Sequence, residues 1–153
     1  MYRAVAFMFL ILLLSVSSSR ADSESPSPYP YSGCYELSKI KWEPDPKGNA
    51  DILKVPKKIW LTEIRGMRKD TFLLLPAPGE PQTVHADNYW SLPLNNQEGP
   101  ELKWGYGIAK SGVLIKLSSP NPPIMTGTAR AVFDTPSEFK DAPVTATKSP
   151  CGN

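Results

Sequence analysis

The chain has 153 residues, with 17 Lys and Arg against 15 Asp and Glu, a formal charge of +2. It therefore lacks the basic excess that nucleic acid or an anionic membrane surface demands of a partner. A single histidine leaves any imidazole mechanism to one residue, and prolines and glycines, 17 and 10 in number, punctuate the chain into short segments.

In chain order, Arg3 precedes an apolar run from Ala4 to Val16, and the polar Ser17-Ser18-Ser19-Arg20-Ala21 follows. That pattern reads as a secretory signal peptide over residues 1–21, with small residues at Ser19 and Ala21 placing the cut after Ala21. The run is well short of the roughly 20 apolar residues that span a bilayer, so no integral membrane segment is expected after cleavage. Removing Arg3 and Arg20 leaves 15 basic and 15 acidic residues in a neutral chain of 132, which is 153 less 21. This length suits one compact domain, expected to be periplasmic or extracellular and monomeric.

Residues 22–33, DSESPSPYPYSG, are rich in Ser and Pro with no apolar period and read as a flexible lead-in to a single domain over residues 34–153. Cys34 and Cys151 lie near its two ends, and in an exported chain an even pair is most simply a disulfide.

Strand signals follow one another. Residues 34–42, CYELSKIKW, alternate loosely. The stretch 43–56 carries three prolines and Gly48 and reads as a loop. In residues 57–65, Ile59 and Leu61 face one way and Trp60, Thr62 and Ile64 the other. Thr71–Leu75 is a short strand, the proline-rich 76–82 is irregular, and Asn88–Leu92 forms the next strand. Residues 101–108, 113–118 and 124–134 form the most regular part. There Val113, Ile115 and Leu117 share one face; Met125, Gly127, Ala129, Ala131 and Phe133 share another. Thr135–Asp141 has room for one helical turn, and Ala142–Lys148 alternates once more.

About eight short strands with Gly and Pro turns and no long amphipathic helix predict an all-β domain. A small antiparallel up-and-down barrel removes free edges and makes the first and last strands neighbours, which suits the cysteine pair. A two-sheet β-sandwich is the alternative.

Candidate sites are few. His85 and Asp87 share a face if extended, but two ligands are too few for a closed metal site, and a lone histidine is more simply a surface residue; haem ligation is the sharper reading of His85. No Gly-x-Ser-x-Gly elbow or phosphate-binding glycine loop occurs. Glu98 with Glu101, or Glu63 with Asp70, would serve glycoside chemistry only if a cleft brought them together. No catalytic residue, metal or cofactor is assigned, and the chain is read as non-enzymatic. Trp42, Trp60, Trp90 and Trp104 each fall on a strand signal, where aromatics form core or line a cavity.

The segments Ser32-Gly33-Cys34-Tyr35-Glu36-Leu37, Trp104-Gly105-Tyr106-Gly107, Gly112-Val113-Leu114-Ile115-Lys116-Leu117 and Thr126-Gly127-Thr128-Ala129-Arg130-Ala131-Val132-Phe133-Asp134 resemble a loose group of short, uncharacterised exported bacterial proteins. Its members have a cysteine near each end of one β domain. The resemblance implies export and a small barrel, and transfers no catalytic residue. More remotely, Gly33-Cys34-Tyr35 is similar to the Gly-x-Trp of lipocalin first strands, with tyrosine in the aromatic position.

Two functions follow as expectations. One is a barrel holding a small apolar or amphipathic ligand, with Trp60, Trp90, Trp104 and Tyr106 lining its mouth or wall. The other is a filled barrel acting as an envelope or secreted protein-interaction module, such as a protease inhibitor, through the loops at 43–56, 76–82 and 119–123. An interior with room for several heavy atoms favours the first, and a solid core the second.

Overall fold

The computed structural model describes residues 31–44, 53–81, 88–93, 98–105, 111–118, 122–136 and 138–152. These contain eight strands and no helix: β1 (Gly33–Leu37), β2 (Lys58–Arg65), β3 (Thr71–Pro76), β4 (Tyr89–Ser91), β5 (Glu101–Trp104), β6 (Gly112–Ser118), β7 (Ile124–Val132) and β8 (Ala142–Ser149). Each pairs antiparallel with its sequence neighbours, and β1 also pairs with β8, so the sheet closes into an up-and-down barrel. That last pairing excludes the sandwich.

Strand alternation decides what the barrel encloses. One continuous inward row runs Phe72, Trp90, Leu102, Ile115, Ala129, Ala142 across β3 to β8. The rings of Tyr35, Phe72, Trp90 and Trp104 share one buried cluster with Ala129, Ala131 and Ala146, so large side chains on β1, β3, β4 and β5 are combined with small ones on β7 and β8. A void large enough for water would leave accessible surface on its walls even if sealed. Tyr35, Leu61, Trp90, Leu102, Val113 and Met125 have none, each being 0% exposed. The interior is a packed core.

Within β7, Gly127 stands opposite Leu117 of β6, where the two backbones approach closely. A Cβ at Gly127 would overlap the Lys116 carbonyl and lie 2.9 Å from Leu117 Cα. Only glycine lets β7 lie this close to β6.

The β2–β3 ladder slips between Leu61 and Arg65. Thr62 satisfies the polar groups that the slip frees. Its hydroxyl donates to the Leu73 carbonyl at 2.8 Å and accepts from the Ile64 N–H at 3.2 Å, while its own carbonyl accepts from Trp90 Nε1 at 3.0 Å. The bulge therefore anchors the largest buried side chain by its one polar atom.

The first and last strands are joined by hydrogen bonds and by sulfur. Cys34 stands opposite Ser149, and just past β8 the chain places Cys151 in a disulfide with Cys34, their Cα atoms 5.0 Å apart. On the other side of Cys34, its cross-strand partner is Trp60.

Several boundaries differ from the sequence expectation. Residues 22–30 of the lead-in lie outside the described residues, and at its end the Tyr31 carbonyl accepts from the Tyr35 hydroxyl at 2.9 Å. β1 stops at Leu37 instead of continuing to Trp42; Ser38 still meets β8, its N–H donating to the Thr145 carbonyl at 2.8 Å and its Oγ accepting the Thr145 N–H at 2.9 Å. β7 stops at Val132 rather than Asp134. Residues 135–136 and 138–141 are irregular where a helical turn had room to form.

Candidate functional site: an apolar cleft at one end of the barrel

Two runs of the β1–β2 connection lie over the end of the barrel marked by Leu37 and Trp104. The outgoing run, Ser38 to Trp42, leaves β1; the returning run, Leu53 to Lys57, leads into β2. Alternating apolar residues hold both runs against the core: Leu53 is 4% exposed, and Ile40, Trp42 and Val55 pack on the core as partly exposed side chains. Leu37 N–H donates to the Lys57 carbonyl at 2.7 Å, tying the two runs where they meet the strands.

The outgoing run is braced from the side. Trp42 meets Phe139 edge-on at 6.3 Å, and Phe139 meets Phe133 at 5.8 Å. Lys140 N–H donates to the Glu43 carbonyl at 2.8 Å, and the two side chains approach to 3.4 Å. The β7–β8 connection therefore fixes the position of Trp42 through stacking and a main-chain bond.

Between the two runs lies a cleft of about 510 Å³. Leu37, Ile40, Trp42, Leu53, Val55 and Pro56 supply apolar walls, and Ser38, Lys39, Lys54 and Lys57 the polar border. The volume falls within the range of roughly 300 to 1,000 Å³ that small-molecule sites occupy. At the border, Lys57 Nζ pairs with Glu36 at 2.8 Å. The hydrogen bond from Lys57, with its charge, holds the Glu36 carboxyl below the usual carboxylate range and raises the Lys57 ammonium in turn. Among the described residues, Lys39 and Lys54 have no acidic partner.

A second hollow of about 260 Å³ lies on the outer wall at the far end, bordered by Glu98, Gly99, Glu101, Lys116 and Thr128. Here Glu101 is held between Lys103 at 3.2 Å and Lys116 at 3.5 Å, so its carboxylate is already engaged.

The aromatic residues singled out in the sequence are distributed differently. Trp90 is fully buried, its ring 5.0 Å from Phe72, and Trp104 is 3% exposed in the same core cluster. Trp60 is half-buried on the opposite, outer face beside Cys34, because its neighbours Ile59 and Leu61 take the inward positions. Tyr106, His85 and Asp87 lie outside the described residues. Glu63 accepts from Ser32 Oγ at 2.8 Å. No group of three or more His, Cys, Asp or Glu that could hold a metal occurs among the described residues. No helix among them is long and apolar enough to cross a membrane.

The cleft residue that the sequence reading passed over is Trp42. Its signal was present: Trp42 immediately precedes Glu-Pro-Asp-Pro, which ends any strand, so its ring belongs to a connection and not to the wall. Comparison of the chain with protein-family models, with curated proteins and with solved structures finds no match.

Proposed function

We propose that this is an exported, non-enzymatic β-barrel protein that binds one small apolar or amphipathic molecule, held in the cleft at the barrel end and not in the lumen. The observation that carries this reading is the conjunction of a filled interior with an apolar cleft of about 510 Å³ built by the first connection. Eight strands enclose a space just wide enough either for a small ligand or for side chains, and here side chains occupy it. A Cys34–Cys151 bridge is consistent with folding in an oxidising compartment, which supports export.

Intrinsic fluorescence titration with a panel of fatty acids, fatty alcohols and retinoids tests the proposal. Saturable quenching that disappears in Trp42→Phe while binding persists by calorimetry is expected. No binding by any member overturns it.

A filled-core envelope or secreted protein-interaction module, a protease inhibitor being one case, is the second reading. The solid core supports it too. Met67 at the β2–β3 turn is 93% exposed and Ile64 beside it 55%, and these large apolar side chains would serve as contact surface. Failure of the whole ligand panel favours this reading.

A further inference from the structure

We infer that the cleft selects single-chain amphiphiles with an anionic head, the fatty carboxylates, over neutral or cationic molecules of the same chain; this rests on the cleft being the binding site. The walls are apolar, and the charged residues lining the cleft are lysines, of which Lys57 is paired with Glu36 and lies within electrostatic reach of Glu80. Lys39 lies on the outgoing run and Lys54 on the returning run, and both exposed residues line the cleft. The described acids close by in the chain are already engaged: Glu36 with Lys57 at 2.8 Å, and Glu43 with Lys140 at 3.4 Å. Two cations without acidic partners among the described residues thus border an apolar floor made by Leu37 and Leu53. A molecule that buries a hydrocarbon chain and leaves a carboxylate at the border satisfies both halves of this surface. A neutral alcohol satisfies only the apolar half, and an alkylammonium meets like charge.

A single chain is the occupant because the cleft is bounded by two short segments and its volume is that of one small ligand. The neutral charge balance of the chain beyond residue 21 also argues against a general attraction to anionic surfaces, so selectivity for an anion has to be local.

Calorimetric titration of the full folded protein with decanoate, 1-decanol and decylammonium at low salt tests the inference. Vesicles of phosphatidylglycerol form a fourth arm. Exposed charge pairs are weak, so decanoate is expected to bind only about fivefold tighter than 1-decanol. That preference should vanish in the Lys39→Gln, Lys54→Gln double variant and shrink as salt is raised. Both substitutions replace exposed side chains, and circular dichroism confirms that the barrel is intact. Equal binding of decanoate and 1-decanol overturns the anion preference and leaves the cleft reading standing. Binding of neither overturns both. Binding to vesicles without binding to monomeric decanoate shows a surface-docking role and overturns the single-chain assignment.

Discussion

Reduction of the Cys34–Cys151 bridge is the perturbation whose size the structure defines best. The bridge closes a loop of 117 residues, nearly the whole barrel. In the chain-entropy model a loop of this length restricts the denatured ensemble by about 16 cal/mol/K, which is about 5 kcal/mol at 25 °C. Domains of this size are stable by roughly 0.05 to 0.15 kcal/mol per residue, so the bridge accounts for about a quarter or more of the total. The seam that the bridge covers is already hydrogen-bonded from Cys34 to Leu37 along β8. Reduction should therefore leave the native strands in place while lowering stability. Urea unfolding of oxidised and reduced protein, followed by circular dichroism, measures the difference directly. The expected result is a native-like spectrum for both, a midpoint lowered by a margin equivalent to about 3 to 5 kcal/mol, and a steeper denaturant slope for the reduced chain. A loss below about 1 kcal/mol would refute the reasoning, because it would mean that the unbridged denatured chain already keeps its ends together.

Three further outcomes follow from the wall and the core. Gly127→Ala forces β6 and β7 apart at Lys116 and should cost about 3 kcal/mol or more in thermal or urea unfolding; an unchanged midpoint would show that the strands are not so close. Thr62→Val leaves the Leu73 carbonyl and the Ile64 N–H without their side-chain partner and should cost about 1 to 3 kcal/mol, with Thr62→Ser recovering most of it in the same assay. Burial, with Tyr31 nearby, pushes the Tyr35 phenol up to about 12. The folded state then holds this proton after the unfolded chain has released its own at about pH 10, so the Tyr35 contribution is intact below pH 10 and falls away as pH rises toward 12. Comparison of urea midpoints with Tyr35→Phe across that window should show a shallower alkaline decline in the variant; parallel curves would count against a buried neutral phenol.

Much of the wall was legible because it is local. The parity of residues 113–117 and 125–131 already places Val113, Ile115, Leu117, Met125, Ala129 and Ala131 on the side that proves to be the core. The same parity in β2 puts Ile59 and Leu61 opposite Trp60, which decides the outward position of Trp60. Trp90 was harder to place, since Tyr89–Ser91 spans three residues and offers no period to count. The Thr62 bulge left no trace in the residue pattern, because Thr62 occupies an outward position by alternation and is buried only through the slipped β2–β3 register.

What the sequence determined by itself is the number and order of the strands, the faces of the longer ones and the cysteine pair, because each rests on spacing along a few residues. The closed barrel was expected with the sandwich as alternative; the tertiary structure decided between them by pairing β1 with β8, and it alone decided that the interior is full. It also decided that the two described ends of the β1–β2 connection, residues 38–42 and 53–57, border one cleft. Closure, volume matching and the meeting of two distant runs are relations between segments far apart in the chain, and alternation within a strand is the same whichever partners it finds.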